Sequence, residues 1–187
     1  MSFKFGLTKG TQRVEIWCHD SDHPQKLRDM AMEKLAPILR EAYPGKDLTR
    51  ESIHSLLVLA MDVTTDEVVG GMLVQVFGDE WTRTSDLATY KEAVHPKRQR
   101  QGFGTLMFKT LKAWAMAECD KKDDPDAWHI SRIRCAVDWD DNAGKAFMGK
   151  QDGFTVFAEY NDEIVYEWDN ENCPIADFEE LDLNAHI

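Results

Sequence analysis

Apolar and polar positions alternate or recur along most of the chain with a readable period. In "RVEIWCHD" apolar and polar residues alternate from Val14 to Trp17, which predicts a strand. After "SDHP", where Asp22 or His23 is placed to cap a helix and Pro24 falls in its first turn, Leu27, Ala31, Leu35, Ile38 and Ala42 share one helical face. Pro37 lies inside this run and predicts a kink or a split into two helices, and "YPG" at Tyr43–Gly45 ends the element. "SLLVLAMD" (Ser55–Asp62) is a continuous apolar stretch, as expected of a strand covered on both faces. "VVGGMLVQVFG" (Val68–Gly78) follows as another strand with a possible bulge at Gly70-Gly71, and "LATYKEAV" (Leu87–Val94) as a fourth.

The clearest element begins after Gly102. Phe103, Met107, Leu111 and Trp114 form one row and Leu106, Thr110, Ala113 and Ala117 a second, so the buried face is broad, as in a helix laid on a sheet. "HISRIRCAV" then predicts a strand, and "DWDDNAGKAFMGKQDGF" a loop, a short helix and a glycine stop. "FTVFAEY" and "EIVYEW" are two strands joined tightly at Asn161-Asp162. The order is strand, helix, three strands, helix, strand, helix, two strands. It defines one mixed α/β domain over residues 1–168 around a central sheet, followed by a loosely ordered acidic tail over 169–187.

The net charge of −12 is unevenly placed. No Lys or Arg follows Lys150, whereas eleven Asp and Glu do, so the earlier part of the chain is close to balanced. No basic stripe dominates, which argues against nucleic acid as a partner. An acidic end is able to attract a cationic substrate or simply to aid solubility. No stretch approaches the length of a membrane span and the N-terminus has no apolar signal region, so a cytoplasmic location without membrane attachment is expected. The four cysteines are scattered without a C-x-x-C pair, which suits a reducing compartment and small buried side chains. His19 and His23 have a spacing seen in metal sites, but the turn-like residues between them and the lack of partner cysteines predict no metal.

The chemistry is concentrated in "HPKRQRQGFGTLMF". Two glycines and a basic cluster at a strand-to-helix junction point to an anion held by helix N–H groups. A nucleotide P-loop requires Gly-Lys-Ser/Thr, and Gly104-Thr105 lacks the Lys; a dinucleotide fingerprint requires a third glycine where Met107 stands. The remaining pattern is Gln99-x-x-Gly102-x-Gly104, to which Arg98 and Arg100 add charge.

This stretch, with "VHP" before it and "DNAGKAFMGKQDGF" after it, resembles the GNAT family of acetyl-coenzyme A-dependent N-acetyltransferases, over roughly residues 13 to 168. The resemblance implies a GNAT-like fold with a mostly antiparallel sheet flanked by helices. It implies that Gln99, Arg100, Gln101, Gly102, Phe103, Gly104 and Thr105 wrap the cofactor pyrophosphate, with Asn142 and Phe147 on its other side. The backbone of Glu92 and Val94 would pair with the pantetheine arm, and one N–H there would hold the thioester oxygen. An amine acceptor must lose a proton before or during attack, and Glu92 is the first candidate base, with Asp138 second. Strand alternation puts Tyr90 on the face of Glu92, where it could protonate the thiolate. Many family members carry a tyrosine for that task at the position occupied here by Gly149. The expected reaction is direct transfer in a ternary complex to a cationic small molecule or basic peptide, by a monomer or homodimer. The alternative is a non-catalytic acyl-coenzyme A sensor.

Overall fold

The computed structural model describes residues 5–18, 25–45, 55–78, 84–120, 129–171 and 173. Eight strands form one sheet in the order β1-β2-β3-β4-β5-β6-β8-β7: β1 (Phe5–Lys9), β2 (Gln12–Cys18), β3 (Ser55–Asp62), β4 (Glu67–Gly78), β5 (Thr84–Val94), β6 (His129–Asp138), β7 (Thr155–Glu159) and β8 (Glu163–Asp169). Three helices accompany them: α1 (Gln25–Ala42), α2 (Phe103–Cys119) and α3 (Asn142–Met148). Every neighbouring pair is antiparallel except β5 and β6, which run parallel.

The mixed α/β architecture read from hydrophobic periodicity is the one observed. One strand escaped that reading. β1 pairs with β2 across a hairpin turned at Gly10, whose φ of 59° is left-handed. It is a short edge strand whose apolar alternation, Phe5 and Leu7, spans too few residues to stand out, and Leu7 packs against the core. The predicted split of α1 does not occur: the helix runs through Pro37, whose ring lies exposed. The proposed N-cap residues Asp22 and His23, the first-turn Pro24, and the His19/His23 pair lie outside the described residues.

β3 shows why its apolar run is continuous. Leu57 and Leu59 meet Ala31, Leu35 and Leu39 of α1 on one face. Leu56, Val58 and Ala60 belong to the other layer, with Phe103, Met107, Leu111 and Trp114 of α2. The sheet is thus covered on both sides, and each strand residue contributes to one of two cores. Gly71 lets α1 approach: an added Cβ would stand 2.4 Å from Val58 O and 2.8 Å from Leu35 Cδ1. Because one of those atoms is backbone, Gly71→Ala should destabilise the protein by about 3 kcal/mol, at the upper end of ordinary overpacking costs. Chemical denaturation would show this as a lower midpoint with an unchanged slope.

The Gly70-Gly71 pair does border an irregularity, because the β3/β4 register slips between Ala60 and Met61, opposite Val69. The hairpin at Asn161-Asp162 forms as expected, closed by the Tyr160 N–H donating to Glu163 O at 2.8 Å. The chain after β8 is at first well anchored. Asn170 is buried and donates to Ile130 O at 2.8 Å, and Cys173 is buried beside Cys119. Asn170 and Cys173 are therefore packed into the domain. Among the described residues no helix is long and apolar enough to cross a membrane.

Candidate active site

The parallel pair is where the sheet opens. β5 and β6 pair from Thr84↔His129 to Thr89↔Cys135, with one slip between Ser85 and Asp86, and the ladder stops there. Both strands continue. β5 keeps pairing with β4 as far as Gly70↔Val94, and β6 keeps pairing with β8 as far as Asp138↔Glu163. The two strands part like a wedge whose closed end is Thr89/Cys135 and whose walls are residues 90–94 and 136–138. Edge groups of β5 that would bond a neighbouring strand are thereby released for other partners.

Glu92 and Val94 line the β5 wall. Glu92 pairs with Met72 and so points its side chain to the α2 face, where Met72 is buried. Ala93, between them, packs with the α1-side cluster. Glu92 Oε1 accepts a hydrogen bond from the Cys135 thiol at 3.2 Å, across the wedge. Burial pushes the Glu92 carboxyl above the usual carboxylate range; the Cys135 and Thr89 side chains pull it back in part, and Asp141 pushes it up further. Burial and the adjacent Glu92 likewise push the Cys135 thiol well up, so it is a hydrogen-bond donor rather than a thiolate.

Tyr43 enters the wedge from the α1 face. Its hydroxyl donates to Glu92 O at 3.0 Å and accepts from the Glu92 N–H at 3.3 Å. The backbone groups expected to meet an acyl-pantetheine arm are therefore bonded to a side chain of the protein itself. Val94 is treated the same way: Gln99 Nε2 donates to its carbonyl at 3.2 Å.

Tyr90 falls at an irregularity of the strand pairing. The β4/β5 register slips between Leu73↔Lys91 and Val74↔Thr89, so Tyr90 is the extra residue of a bulge. Its side chain lies outside the described residues. Asp138 is exposed at the end of β6, and its charge, with that of Glu92, acts on Tyr43.

Below the wedge, a 3₁₀ turn at Pro96–Arg98 leads into α2, with the His95 ring accepting from the Lys97 N–H at 3.2 Å. Histidine here is a structural cap. Gly102 precedes the helix at φ 93° and ψ 0°, and neither a side-chain cap nor an acid occurs in the first turn. The N–H groups of Phe103, Gly104 and Thr105 have no carbonyl one turn earlier to bond, which leaves them as donors of the kind an anion accepts from. Gly104 lets α3 close on the same spot: an added Cβ would stand 3.1 Å from Phe147 Cζ. Phe147 in turn packs on Phe108 with ring centroids 5.8 Å apart.

Arg100 is exposed with φ 61°, and Gln101 O is held by the Gln12 amide from β2. Arg98 contributes no free charge, because it pairs with Asp62 at 3.0 Å. The Thr64 hydroxyl and N–H hold the Asp62 carboxyl below the usual range, with Arg98 assisting. Asn142 opens α3 just after its cap, Asp141, whose carboxylate accepts from the Gly144 N–H at 2.9 Å. Among the described residues no group of three His, Cys, Asp or Glu forms a metal site.

Sequence reasoning missed two members of this site. Cys135 reads as one more small buried residue, and Tyr43 as part of a helix-ending turn. Neither has a local signal, since each is 43 or more residues from Glu92 in the chain.

A parallel strand pair that opens at mid-length, followed by an uncapped glycine-led helix start, is the arrangement of an acyltransferase-type fold. The chain belongs to the Acetyltransferase (GNAT) family, whose sequence pattern matches residues 17–122. No match to a curated protein sequence was found. Among solved structures, it is similar to the ribosomal-protein-S18-alanine N-acetyltransferase of Escherichia coli (15% identity, 83% of this chain and 93% of that one, TM-score 0.55). It is similar also to Arabidopsis thaliana Naa50 in complex with the bisubstrate analogue CoA-Ac-MVNAL (15% identity, 84% and 99%, TM-score 0.54). A third is an aminoglycoside acetyltransferase from an uncultured soil metagenomic sample, in complex with sisomicin (15% identity, 80% and 95%, TM-score 0.54).

Proposed function

We propose that the protein transfers the acetyl group of acetyl-coenzyme A to a cationic amine by direct attack within a ternary complex. The observation that carries this reading is the wedge itself, with Glu92 on its wall and the uncapped start of α2 at its foot. In this reading Gln99 to Thr105 wrap the pyrophosphate, with the backbone N–H groups supplying most of the polar contacts. Asn142 and Phe147 flank the cofactor from α3. The Glu92 and Val94 backbone receives the pantetheine arm, and the Glu92 N–H binds the thioester oxygen, where negative charge develops.

The Glu92 carboxylate takes the proton from the attacking nitrogen. A carboxyl raised by burial is a stronger base once ionised than an exposed one, which suits that task near neutral pH. Asp138, Asp140 and Asp141 are all exposed beside the wedge on the β6–α3 connection and supply the charge that would draw an ammonium group. The acceptors named for its structural neighbours, a peptide and an aminoglycoside, both present amines. A cytoplasmic enzyme acting without metal fits the same picture.

The test is free-thiol release from acetyl-coenzyme A with a panel of polyamines, lysine-containing peptides, peptides with a free N-terminus and neutral amines. Turnover is expected with polyamines or basic peptides. Preferred turnover of a neutral amine would overturn the acceptor class. Coenzyme A binding with no turnover on any amine would show a sensor instead.

A further inference from the structure

We propose that the cavity between α1, the first residues of β4 and the turn before α2 is a binding site for a small zwitterion, of the class of α-amino acids with an apolar side chain. It is separate from the wedge: β4 lies on one side of β5, and β6, the other wall of the wedge, lies on the opposite side.

The cavity has a volume of about 570 Å³, in the usual range of small-molecule sites. Ile38 of α1 and Val68 of β4 give it an apolar side, while Lys34 and Lys97 bring two cations to it and Asp66 and Glu67 two anions. Lys34 stands one helical turn before Ile38, exposed where Ile38 is buried, so its charge lies at the rim. Asp66 ends the β3–β4 turn at a left-handed φ of 54°, which a short polar side chain tolerates, and Glu67 opens β4. Among the described residues, none of these four side chains forms an ion pair, with each other or with any other residue. Arg98 also borders the cavity but is spent on Asp62. His95, on the same wall, uses Nδ1 to accept from the Lys97 N–H, which leaves Nε2–H as a donor.

The charges select the ligand. A simple anion would suit the two lysines and be repelled by the two carboxylates, and a polyamine would meet the reverse problem. A zwitterion balances both. Its carboxylate accepts from Lys34, Lys97 and His95, its ammonium donates to Asp66 and Glu67, and its side chain covers Ile38 and Val68.

The turn is a wall shared with the loop beyond it. Lys97 O accepts from Gln101 Nε2 at 3.2 Å, and the His95 N–H donates to Val69 O at 2.8 Å. A ligand that fixes Lys97 also fixes the segment leading to Gly102. On the acetyl-transfer reading above, that segment wraps the pyrophosphate, so a filled cavity should tighten coenzyme A binding about fivefold.

The test is titration calorimetry on the whole chain, first without coenzyme A. L-leucine should bind. Isocaproate and isoamylamine, which each lack one of its two charges, should bind about tenfold more weakly, the worth of one charge-assisted hydrogen bond. Lys97→Ala and Glu67→Ala remove exposed side chains outside the wedge, so the fold is spared. Each should weaken L-leucine about tenfold and leave coenzyme A affinity in the absence of leucine unchanged. No binding of L-leucine, or binding that neither substitution weakens, would overturn the site. Equal binding of isocaproate or isoamylamine would overturn the zwitterion. Bound leucine that leaves coenzyme A affinity unchanged would overturn the coupling. A wild-type protein that binds L-leucine but no coenzyme A would sink the acetyl-transfer reading and leave the cavity assignment standing.

Discussion

Replacing Glu92 by Gln is expected to lower turnover about 100-fold, the usual worth of one positioned base. Coenzyme A affinity should stay within about twofold, because the backbone N–H and carbonyl proposed to meet the cofactor are unchanged and Gln can still accept from the Cys135 thiol. The pH dependence sharpens the test. Burial raises the Glu92 carboxyl in the folded state, so the base form fills only as pH rises through that raised range. Wild-type turnover should therefore climb on the acid side above the ordinary carboxylate range, and the climb should vanish in Glu92→Gln. An unchanged acid limb would assign the base elsewhere, with Asp138 next in line.

The same carboxyl has a consequence for stability. A group that holds its proton more tightly when folded favours the folded state most at pH below its unfolded value, near 4.5. That contribution is lost as pH rises through the raised folded value, where a charge must be carried in the interior. Gln is neutral at every pH. Glu92→Gln should thus raise the melting temperature relative to wild type at pH 8 more than at pH 4. Equal differences at the two pH values would mean that Glu92 is well solvated.

The second large effect is expected at the foot of the wedge. Gly102 sits at φ 93°, ψ 0°. A left-handed position costs an L residue about 1–2 kcal/mol, and a β-branched one more. Gly102→Val should relieve that strain by rotating the peptide that leads into α2, which turns the first N–H groups away from a bound phosphate. Coenzyme A affinity should fall at least about tenfold, while turnover at saturation changes little. Titration calorimetry and saturation kinetics together separate this outcome from that of Glu92→Gln, which lowers turnover and spares affinity. Unchanged affinity in Gly102→Val would remove the pyrophosphate from this loop.

Much of the architecture was legible because it rests on short-range rules. The rows of α2 follow a 3.6-residue period, and the Gly102-x-Gly104 junction follows from what glycine allows near an anion. β3 reads as doubly covered because a strand with two cores has no polar face to show. What escaped notice has a common cause. β1 is five residues long and is held by its ladder with β2. Pro37 is accommodated because it falls on the exposed side of α1, while its neighbours Ala36 and Ile38 are buried. The Tyr90 bulge is a mismatch between two strands and is written in neither alone.

The sequence by itself determined the family, the layered sheet and the glycine-led helix start, since each depends on residues close together in the chain. Only the tertiary structure decided what surrounds the reacting group. It placed Tyr43 on the Glu92 backbone and Cys135 on the Glu92 carboxyl, and it spent Arg98 on Asp62. The physical reason is that burial, hydrogen-bond competition and charge pairing are sums over neighbours in space. A residue's type states what it can donate or accept, and the fold decides to whom.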